Sequence, residues 1–237
     1  MQENRGAKTL SLESSPSDRK NTTKEALLST AERLYAERGL DAVSMREITR
    51  EAGQRNSSAF QYHFSNKQAL VHAIIIRRMN EANLRRLEFL HDLELRGKLD
   101  DVRYLAAAMV EPMAAVPKSH KRWPEEYWVG FLNEVQRHPE FDLVELAKGA
   151  SDLGLRRVYT LLCKQLQFLP DAVLRQRFLL AMSQVIHGLA EIDRLRQRRR
   201  RSRRHFDTER AIENLIDMIA GALSAPVSIE VTRRLEP

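Results

Sequence analysis

The segment from Ser44 to Lys67 constrains the fold of this chain more than any other part of the sequence. It reads SMREITREAGQRNSSAFQYHFSNK. Serine at position 44 with glutamate three residues later predicts a capped helix start, and Gly53 permits a sharp turn before a second short helix. Ser65-Asn66-Lys67-Gln68 predicts a further capped start. Two short helices joined by a glycine turn indicate a helix-turn-helix, whose second helix enters the DNA major groove.

The remainder of the chain predicts an all-α fold. Only 9 Gly and 8 Pro occur in 237 residues, and Leu, Ala, Glu and Arg are abundant. We expect a disordered arm at 1–22, a three-helix DNA-binding domain at 23–67, a helical ligand-binding and dimerisation domain at 68–225, and a tail at 226–237. The expected helices lie at about 23–38, 44–52, 56–64, 67–94, 99–116, 123–137, 141–168, 171–198 and 207–223, with prolines near several breaks.

Several functional classes find no support in the sequence. The longest apolar stretches, Leu70–Ile76 and Leu105–Val116, are shorter than the roughly 20 residues of a membrane span. The N-terminus has no apolar signal-peptide core, and the single Cys163 suits a reducing cytoplasm. No nucleophile motif, phosphate loop or metal-ligand set is present, so we expect neither an enzyme nor a metal or cofactor.

The second short helix has the polarity expected of a recognition helix. Ala59, Phe60 and Phe64 are spaced to face inward. Asparagine and glutamine can bond adenine, serine can bond any base edge, and tyrosine can reach a sugar or phosphate. The alternative is an ordinary solvated helix face. The candidate DNA-reading side chains of this helix and its entry are Arg55, Asn56, Ser57, Ser58, Gln61 and Tyr62.

Lys67 lies at the expected start of the fourth helix, where the helix dipole disfavours a cation. A DNA phosphate at this point would reverse the effect, because amides and ammonium would converge on one anion. Ser44 and Arg46, at the start of the second helix, have similar access to the DNA backbone. The alternative for Lys67 is an indifferent surface lysine.

The net charge of +7 comes from one basic run rather than from the helix-turn-helix. Residues 194–204, RLRQRRRRSRR, hold eight arginines and no acid, so the rest of the chain is close to neutral. The prediction of DNA binding therefore depends on the arrangement of side chains. The run indicates either a solvated helix end or an extra contact with nucleic acid or an anionic surface.

The N-terminal motifs together resemble the tetracycline-repressor (TetR) family of bacterial transcription regulators. They are AERLYAERG at 31–39, SMREI at 44–48, Ala52-Gly53, Tyr62-His63-Phe64 and NKQAL at 66–70. The resemblance implies an all-α homodimer with a three-helix DNA-binding domain and a fourth helix that joins it to a ligand-sensing domain. It also implies that Ser44, Arg46, Gln61, Tyr62, His63 and Lys67 touch DNA, mainly at the backbone.

The chain departs from the family pattern at two places. The stretch from Gln54 to Gln61 is one residue longer than usual, which leaves the register of Gln54, Arg55 and Asn56 on DNA open. Phe60-Gln61 replaces the commoner aliphatic residue followed by Tyr or Asn. The base preference of the family therefore does not transfer to this chain.

The C-terminal part offers a weaker set of candidate effector-binding residues. They are large apolar or polarisable side chains on several predicted helices, and plain core packing is the alternative for each. Glu191 lies four residues after His187, but two residues on one helix do not make a metal site. The candidate ligand-binding residues are Met109, Met113, Trp128, Phe131, Leu132, Tyr159, Leu162, Met182, Ile186 and His187.

The last two predicted helices are candidates for dimerisation, most clearly the final one. Its apolar residues Ala211, Ile212, Leu215, Ile216, Ile219, Ala220 and Leu223 recur at helical spacing. The small residues at 220–222 allow close approach of a second helix. The alternative is a core helix within one chain.

These observations favour a ligand-responsive DNA-binding regulator, most simply a repressor, in the bacterial cytoplasm and associated with the nucleoid. A dimer would hold a double-stranded, palindromic operator until a small apolar effector tilts the fourth helix. The alternative is a sequence-nonspecific binder of nucleic acid or an anionic surface through Arg194–Arg204. Neither hypothesis involves a membrane-spanning segment.

Overall fold

The computed structural model describes residues 16–54, 58–114, 127–201 and 206–235, in which the regular elements are all α-helices. The helices are α1 (Pro16–Arg38), α2 (Met45–Glu51), α3 (Ser58–His63), α4 (Lys67–Leu95), α5 (Val102–Ala114), α6 (Trp128–Arg137), α7 (Leu143–Leu146), α8 (Leu153–Gln165), α9 (Asp171–Arg201), α10 (Thr208–Ser224) and α11 (Ile229–Arg233). The predicted all-α fold is confirmed. Within these ranges, every helix is too short or too polar to span a bilayer.

Helix α1 begins earlier than the sequence analysis predicts. We expected an irregular arm through Thr22, but α1 already begins at Pro16. Proline suits the first position of a helix because its fixed φ is helical and its missing N–H would have no partner there. The first part of the predicted arm, residues 1–15, lies outside the described residues.

The single helix predicted from Phe141 to Phe168 is wrong. The structure has two helices here, α7 and α8, separated by a turn in which Gly149 has a φ of +91°. The amide of Ser151 donates to Asn80 Oδ1 of α4 at 2.7 Å instead of to a helical carbonyl. A contact with a distant helix therefore ends a pattern that is locally compatible with helix. A further short helix, α11, occupies part of the predicted tail and is capped by Ser228.

One hydrophobic core runs through the helices. Helix α1 packs against α6 and, less extensively, α4, while α4 also packs against α5 and α8. Helix α10 lies against α5 and α9. The core therefore extends from the helix-turn-helix to the C-terminal helices.

The apolar stripe of α10 belongs to this intrachain core. Ile212, Leu215, Ile216, Ile219 and Leu223 are all buried within one chain. Gly188 of α9 lets Leu215 approach so closely that a Cβ at position 188 would lie 2.6 Å from Leu215 Cδ1. The expectation that this stripe is the dimer surface is wrong, because the same periodicity serves any apolar partner and here α5 and α9 cover it.

A buried ionic cluster joins α1 to α4. The Glu32 carboxylate lies 2.8 Å from both the Arg77 and Arg78 guanidinium groups, and its side chain is only 3% exposed. Burial raises the pKa of Glu32, whereas Arg78 and Arg77 oppose that shift. The cluster couples α1, the first helix of the predicted DNA-binding domain at 23–67 (hereafter the reading domain), to α4.

Candidate nucleic-acid interface

The start of α2 presents the first predicted contact residues on an exposed surface. Ser44 is the N-cap of α2, and its Oγ accepts from the Glu47 amide at 3.2 Å. The Glu47 carboxylate accepts from Arg38 Nη1 at 2.7 Å, and this interaction holds α2 against the end of α1. Arg46 follows the cap and is exposed. This geometry leaves the Arg46 guanidinium accessible to a DNA phosphate.

Helix α3 divides its side chains between the core and the surface. Phe60 and Phe64 are buried, and their ring centroids lie 5.7 Å apart. Gln61 and Tyr62 are exposed, with 66% of Tyr62 accessible. The half-buried ring of His63 meets the edge of Tyr62 at 5.0 Å between centroids. One face anchors the helix, and the opposite face offers polar side chains to a groove.

The turn between α2 and α3 lies partly outside the described residues. Gly53 has a φ of +73°, which favours glycine at this bend. The predicted contact residues Arg55, Asn56 and Ser57 fall outside the described ranges. For Ser58 only its place in the backbone of α3 is described.

The N-cap of α4 lies one residue later than the sequence predicts. Asn66, rather than Ser65, is the N-cap, and its Oδ1 accepts from the Ala69 amide at 2.8 Å. Lys67 is therefore the first helical residue. This position aims its ammonium at the loop between α1 and α2.

Lys67 has an intramolecular partner that the sequence analysis did not identify. Its Nζ lies 3.0 Å from Asp41 Oδ1, and His138 Nε2 lies 3.1 Å from the same oxygen. Hydrogen bonds from Lys67 and His138 lower the pKa of the Asp41 carboxyl, which is itself 79% exposed. Asp41 therefore neutralises the Lys67 ammonium in this structure.

The Lys67–Asp41–His138 bridge connects the reading domain with α6. His138 is the C-cap of α6. Nearby, Phe131 of α6 stacks on Tyr35 of α1 with centroids 6.1 Å apart, and a Cβ at Gly130 would meet Ala36 Cβ at 3.3 Å. The contact between α1 and α6 is thus close enough for a movement of one helix to act on the other.

Residues 27–74 match the model of a family described as bacterial regulatory proteins, tetR family. This range contains α2, α3 and the start of α4, with the two-faced α3 at its centre. The chain carries a TetR-family N-terminal domain. The match covers this N-terminal part of the chain, which includes the predicted helix-turn-helix.

Two solved structures are similar to this chain, and the first of them shares its overall fold. The transcriptional regulator FadR from Bacillus subtilis, in complex with stearoyl-CoA, matches with a TM-score of 0.56 at 13% identity, over 86% of this chain and 99% of that chain. E. coli NemR in its reduced form matches with a TM-score of 0.43 at 19% identity, over 87% and 100% of the two chains. No curated protein sequence matches this chain. The FadR likeness extends over most of the chain and shows that the C-terminal helices share the fold of that protein.

The predicted effector residues are spread over four helices, α5, α6, α8 and α9. Trp128 and Phe131 belong to the aromatic cluster that faces Tyr35, next to α1. Tyr159 packs edge-on against Phe178 of α9. His187 is exposed, and its Nδ1 lies 2.8 Å from Asn133 Oδ1. The structure buries Met109, Met113, Trp128, Phe131, Leu132, Leu162 and Ile186, and half-buries Tyr159 and Met182.

The described part of the basic run, residues 194–201, lies away from the predicted DNA-binding residues. Gln136 contacts Ser183 and Asn133 contacts His187, so α6 and α9 run antiparallel. His138 is near the Ser183 end of this contact, whereas the arginines follow beyond the other end. The first arginines are engaged locally, Arg194 with Glu191 and Arg196 with Asp193. This placement does not favour binding of the same duplex.

No group of three potential metal ligands occurs in the described part of the chain.

The residues that sequence reasoning missed are Asp41 and His138. They are 26 and 71 positions from Lys67 along the sequence and meet only at the junction between α1, α4 and α6. No motif in the sequence marks them.

Proposed function

We propose that this protein is a ligand-responsive transcriptional repressor in the bacterial cytoplasm. A dimer binds a two-fold symmetric operator, and a small molecule in the helical domain releases it. The observation that carries the proposal is the position of α4. One end of α4 bears Lys67 beside the two-faced α3, and the remainder packs against α5 and α8 of the helical domain. A tilt of α4 would displace the DNA-reading elements.

The Lys67–Asp41–His138 bridge supports this mechanism. In the free protein, Asp41 neutralises the lysine that we assign to a DNA phosphate. DNA binding requires the phosphate to replace or supplement that carboxylate. Because His138 ends α6, a shift of α6 changes the position of Asp41 and with it the availability of Lys67.

A dimer surface is available on the outer side of α9 and α10. Leu179 and Leu180 are 60% and 58% exposed, and Met218 is 63% exposed. Arg177 donates to the carbonyls of Leu223 and Ala225, and Gly188 lies against Leu215, so the two helices run antiparallel. The exposed leucines therefore lie level with Met218 and the exposed small residues 221–222. We assign this apolar face to a second copy of the chain, because exposed patches of this kind mark association surfaces.

The proposal is tested by selecting duplexes from a random DNA library at near-physiological salt. We expect enrichment of a two-fold symmetric motif whose half-sites lie about one helical turn or more apart. Recovery of duplexes without a shared motif, with steeply salt-dependent binding, would exclude the proposal and favour nonspecific binding.

The selected motif then serves to test the role of Lys67. Lys67→Glu should weaken operator binding by at least about a hundredfold, because it replaces a phosphate contact with repulsion. Lys148→Glu is the matched control. Lys148 carries the same charge, is 68% exposed and pairs with Glu145, outside the reading domain. Wild-type affinity in Lys67→Glu would show that Lys67 does not contact a DNA phosphate.

A further inference from the structure

Helix α4 buries an arginine without an acidic partner. Arg86 is 2% exposed. Its Nε donates to the Ala108 carbonyl of α5 at 2.9 Å, and its Nη2 is buried without a hydrogen-bond partner in the described part of the chain. In the same ranges no ion pair joins Arg86 to a carboxylate. A fully buried guanidinium of this kind is unusual because burial of a charge costs free energy unless an opposite charge compensates it.

The bond to Ala108 has a structural explanation that does not account for the charge. Pro112 lies inside α5 and has no N–H to donate to the carbonyl four residues earlier, which is that of Ala108. Arg86 Nε supplies the missing donor. A guanidinium has five N–H donors, so this bond uses one of them. A neutral donor would satisfy the same carbonyl without bringing a charge into the core.

The surroundings of Arg86 add positive rather than negative potential. The stem of Arg86 lies against the N-terminus of α8, where a Cβ at Gly154 would be 3.2 Å from Arg86 Cγ and Cδ. The Gly154 amide donates to Asn83 Oδ1 at 2.8 Å. Asp152, at the N-cap of α8, makes no capping bond and pairs with Arg156 instead. The partial positive charge of a helix N-terminus and a buried guanidinium therefore converge without a compensating acid.

Arg86 stays charged at neutral pH. Burial and the neighbouring Arg85 lower the pKa of Arg86 to about 10, which still lies well above 7. The site therefore holds one full positive charge between α4, α5 and α8. An anion from outside the chain would compensate that charge and accept from the free Nη2.

We propose that Arg86 binds the carboxylate of an amphipathic monocarboxylic acid, and that this acid is the effector. A single buried guanidinium balances one negative charge, whereas a phosphate dianion would leave a second charge buried. The apolar part of the acid packs among the core side chains of α5 and α8, where Met109 follows Ala108 and Leu162 is fully buried. This inference rests on the proposed function and specifies the chemistry of the effector.

Binding at Arg86 acts directly on the helix that presents Lys67 to DNA. Both residues belong to α4, and 19 positions at about 1.5 Å each place them roughly 28 Å apart. An acid that draws Arg86 toward α5 or α8 therefore moves the helix whose first residue we assign to a phosphate contact.

The test measures binding to the full-length protein without DNA. Straight-chain carboxylates from butyrate to decanoate are each compared with the corresponding primary amide by calorimetric titration. The members of a pair have the same chain and differ mainly in charge. We expect at least one carboxylate to bind wild-type protein tenfold or more tightly than its amide. Equal affinities in every pair would overturn the proposal.

Two variants assign the preference to Arg86. Arg86→Gln should bring the affinities of acid and amide together, whereas Arg86→Lys should retain a preference for the acid. Arg85→Gln is the matched control because Arg85 is the adjacent arginine and donates to Pro112 of the same helix α5. Its preference should remain as in the wild type. A preference that survives in Arg86→Gln would overturn the assignment. If circular dichroism shows that neither Arg86 variant folds, the unfolding temperature of wild-type protein is measured with each acid and its amide. Acids that raise this temperature no more than their amides would overturn the proposal.

Operator binding distinguishes failure of this inference from failure of the proposed function. If an acid binds through Arg86 but leaves operator affinity unchanged, the carboxylate site stands and the release mechanism fails. If no acid binds and the protein still selects a two-fold symmetric operator, the regulator stands and the acid effector fails.

Discussion

At the junction between the reading domain and α6, one side chain, Asp41, already binds the lysine that we assign to a DNA phosphate. Asp41 is exposed, yet it accepts hydrogen bonds from both Lys67 and His138. Asp41, Lys67 and His138 are residue types common on protein surfaces. They form one bridge because Lys67 and His138 both contact Asp41 Oδ1. Under the proposed function, a DNA phosphate therefore competes with the Asp41 carboxylate for Lys67.

We expect Asp41→Asn to bind the operator about threefold to tenfold more tightly than wild type at low salt. The substitution removes a carboxylate that repels phosphate and competes for Lys67, and the gain should shrink as salt screens the charges. Competition binding at several salt concentrations measures it. Glu230→Gln removes an exposed acid in α11 and should have little effect. Weaker binding by Asp41→Asn would mean that Asp41 orients Lys67 for DNA rather than withholding it.

Glu32 should be the most costly polar residue to alter at the junction of α1 and α4. Glu32→Gln leaves Arg77 and Arg78 buried without their shared carboxylate, and we expect a loss of about 3–5 kcal/mol in the free energy of unfolding. Urea denaturation measures the loss. Glu25→Gln removes another partner of Arg77, but Glu25 is 58% exposed and should contribute less than about 1 kcal/mol. Similar losses in the two variants would contradict this ranking.

At the scale of the helix, amphipathic periodicity defines an apolar face but not its partner. Helix α10 buries its strongest apolar stripe against α5 and α9. The surface left for another chain consists of fewer and smaller residues around Met218, together with Leu179 and Leu180 of α9. The dimer that we propose therefore uses a different side of α10 from the one its periodicity suggests.

Leu180→Glu should weaken self-association by roughly a hundredfold, because the dimer would bury an unpaired carboxylate. Sedimentation velocity over a range of protein concentrations measures the change. Leu95→Glu introduces the same charge at a leucine that is 75% exposed at the end of α4 and should leave the dimer intact. A dimer equally stable in both variants would place the interface elsewhere.

At the scale of the molecule, the two concentrations of positive charge have different positions and roles. Lys67 and Arg46 lie at the starts of α4 and α2, whereas the described part of the arginine run, residues 194–201, lies at the end of α9 away from His138. The net charge of +7 therefore says little about where DNA binds.

Replacing the run's six arginines from position 198 onward with glutamine should change specific operator affinity by less than about threefold. The slope of log affinity against log salt should stay nearly constant, because few of these side chains neutralise phosphates of the bound duplex. Fluorescence anisotropy with the selected operator gives both quantities. A slope that falls by several units would instead show that the run binds the same DNA.

The sequence by itself determined the all-α fold, the helix-turn-helix and the exposed side of α3. These features depend on caps, a glycine turn and apolar spacing within a few residues, which act locally in the chain. Its prediction of one helix at 141–168 failed because Asn80 of α4 binds the Ser151 amide. Only the tertiary structure brought Asp41 to Lys67 and His138, turned the stripe of α10 inward and buried Arg86 against Ala108. Those outcomes depend on contacts between residues far apart in sequence, for which local patterns carry no information.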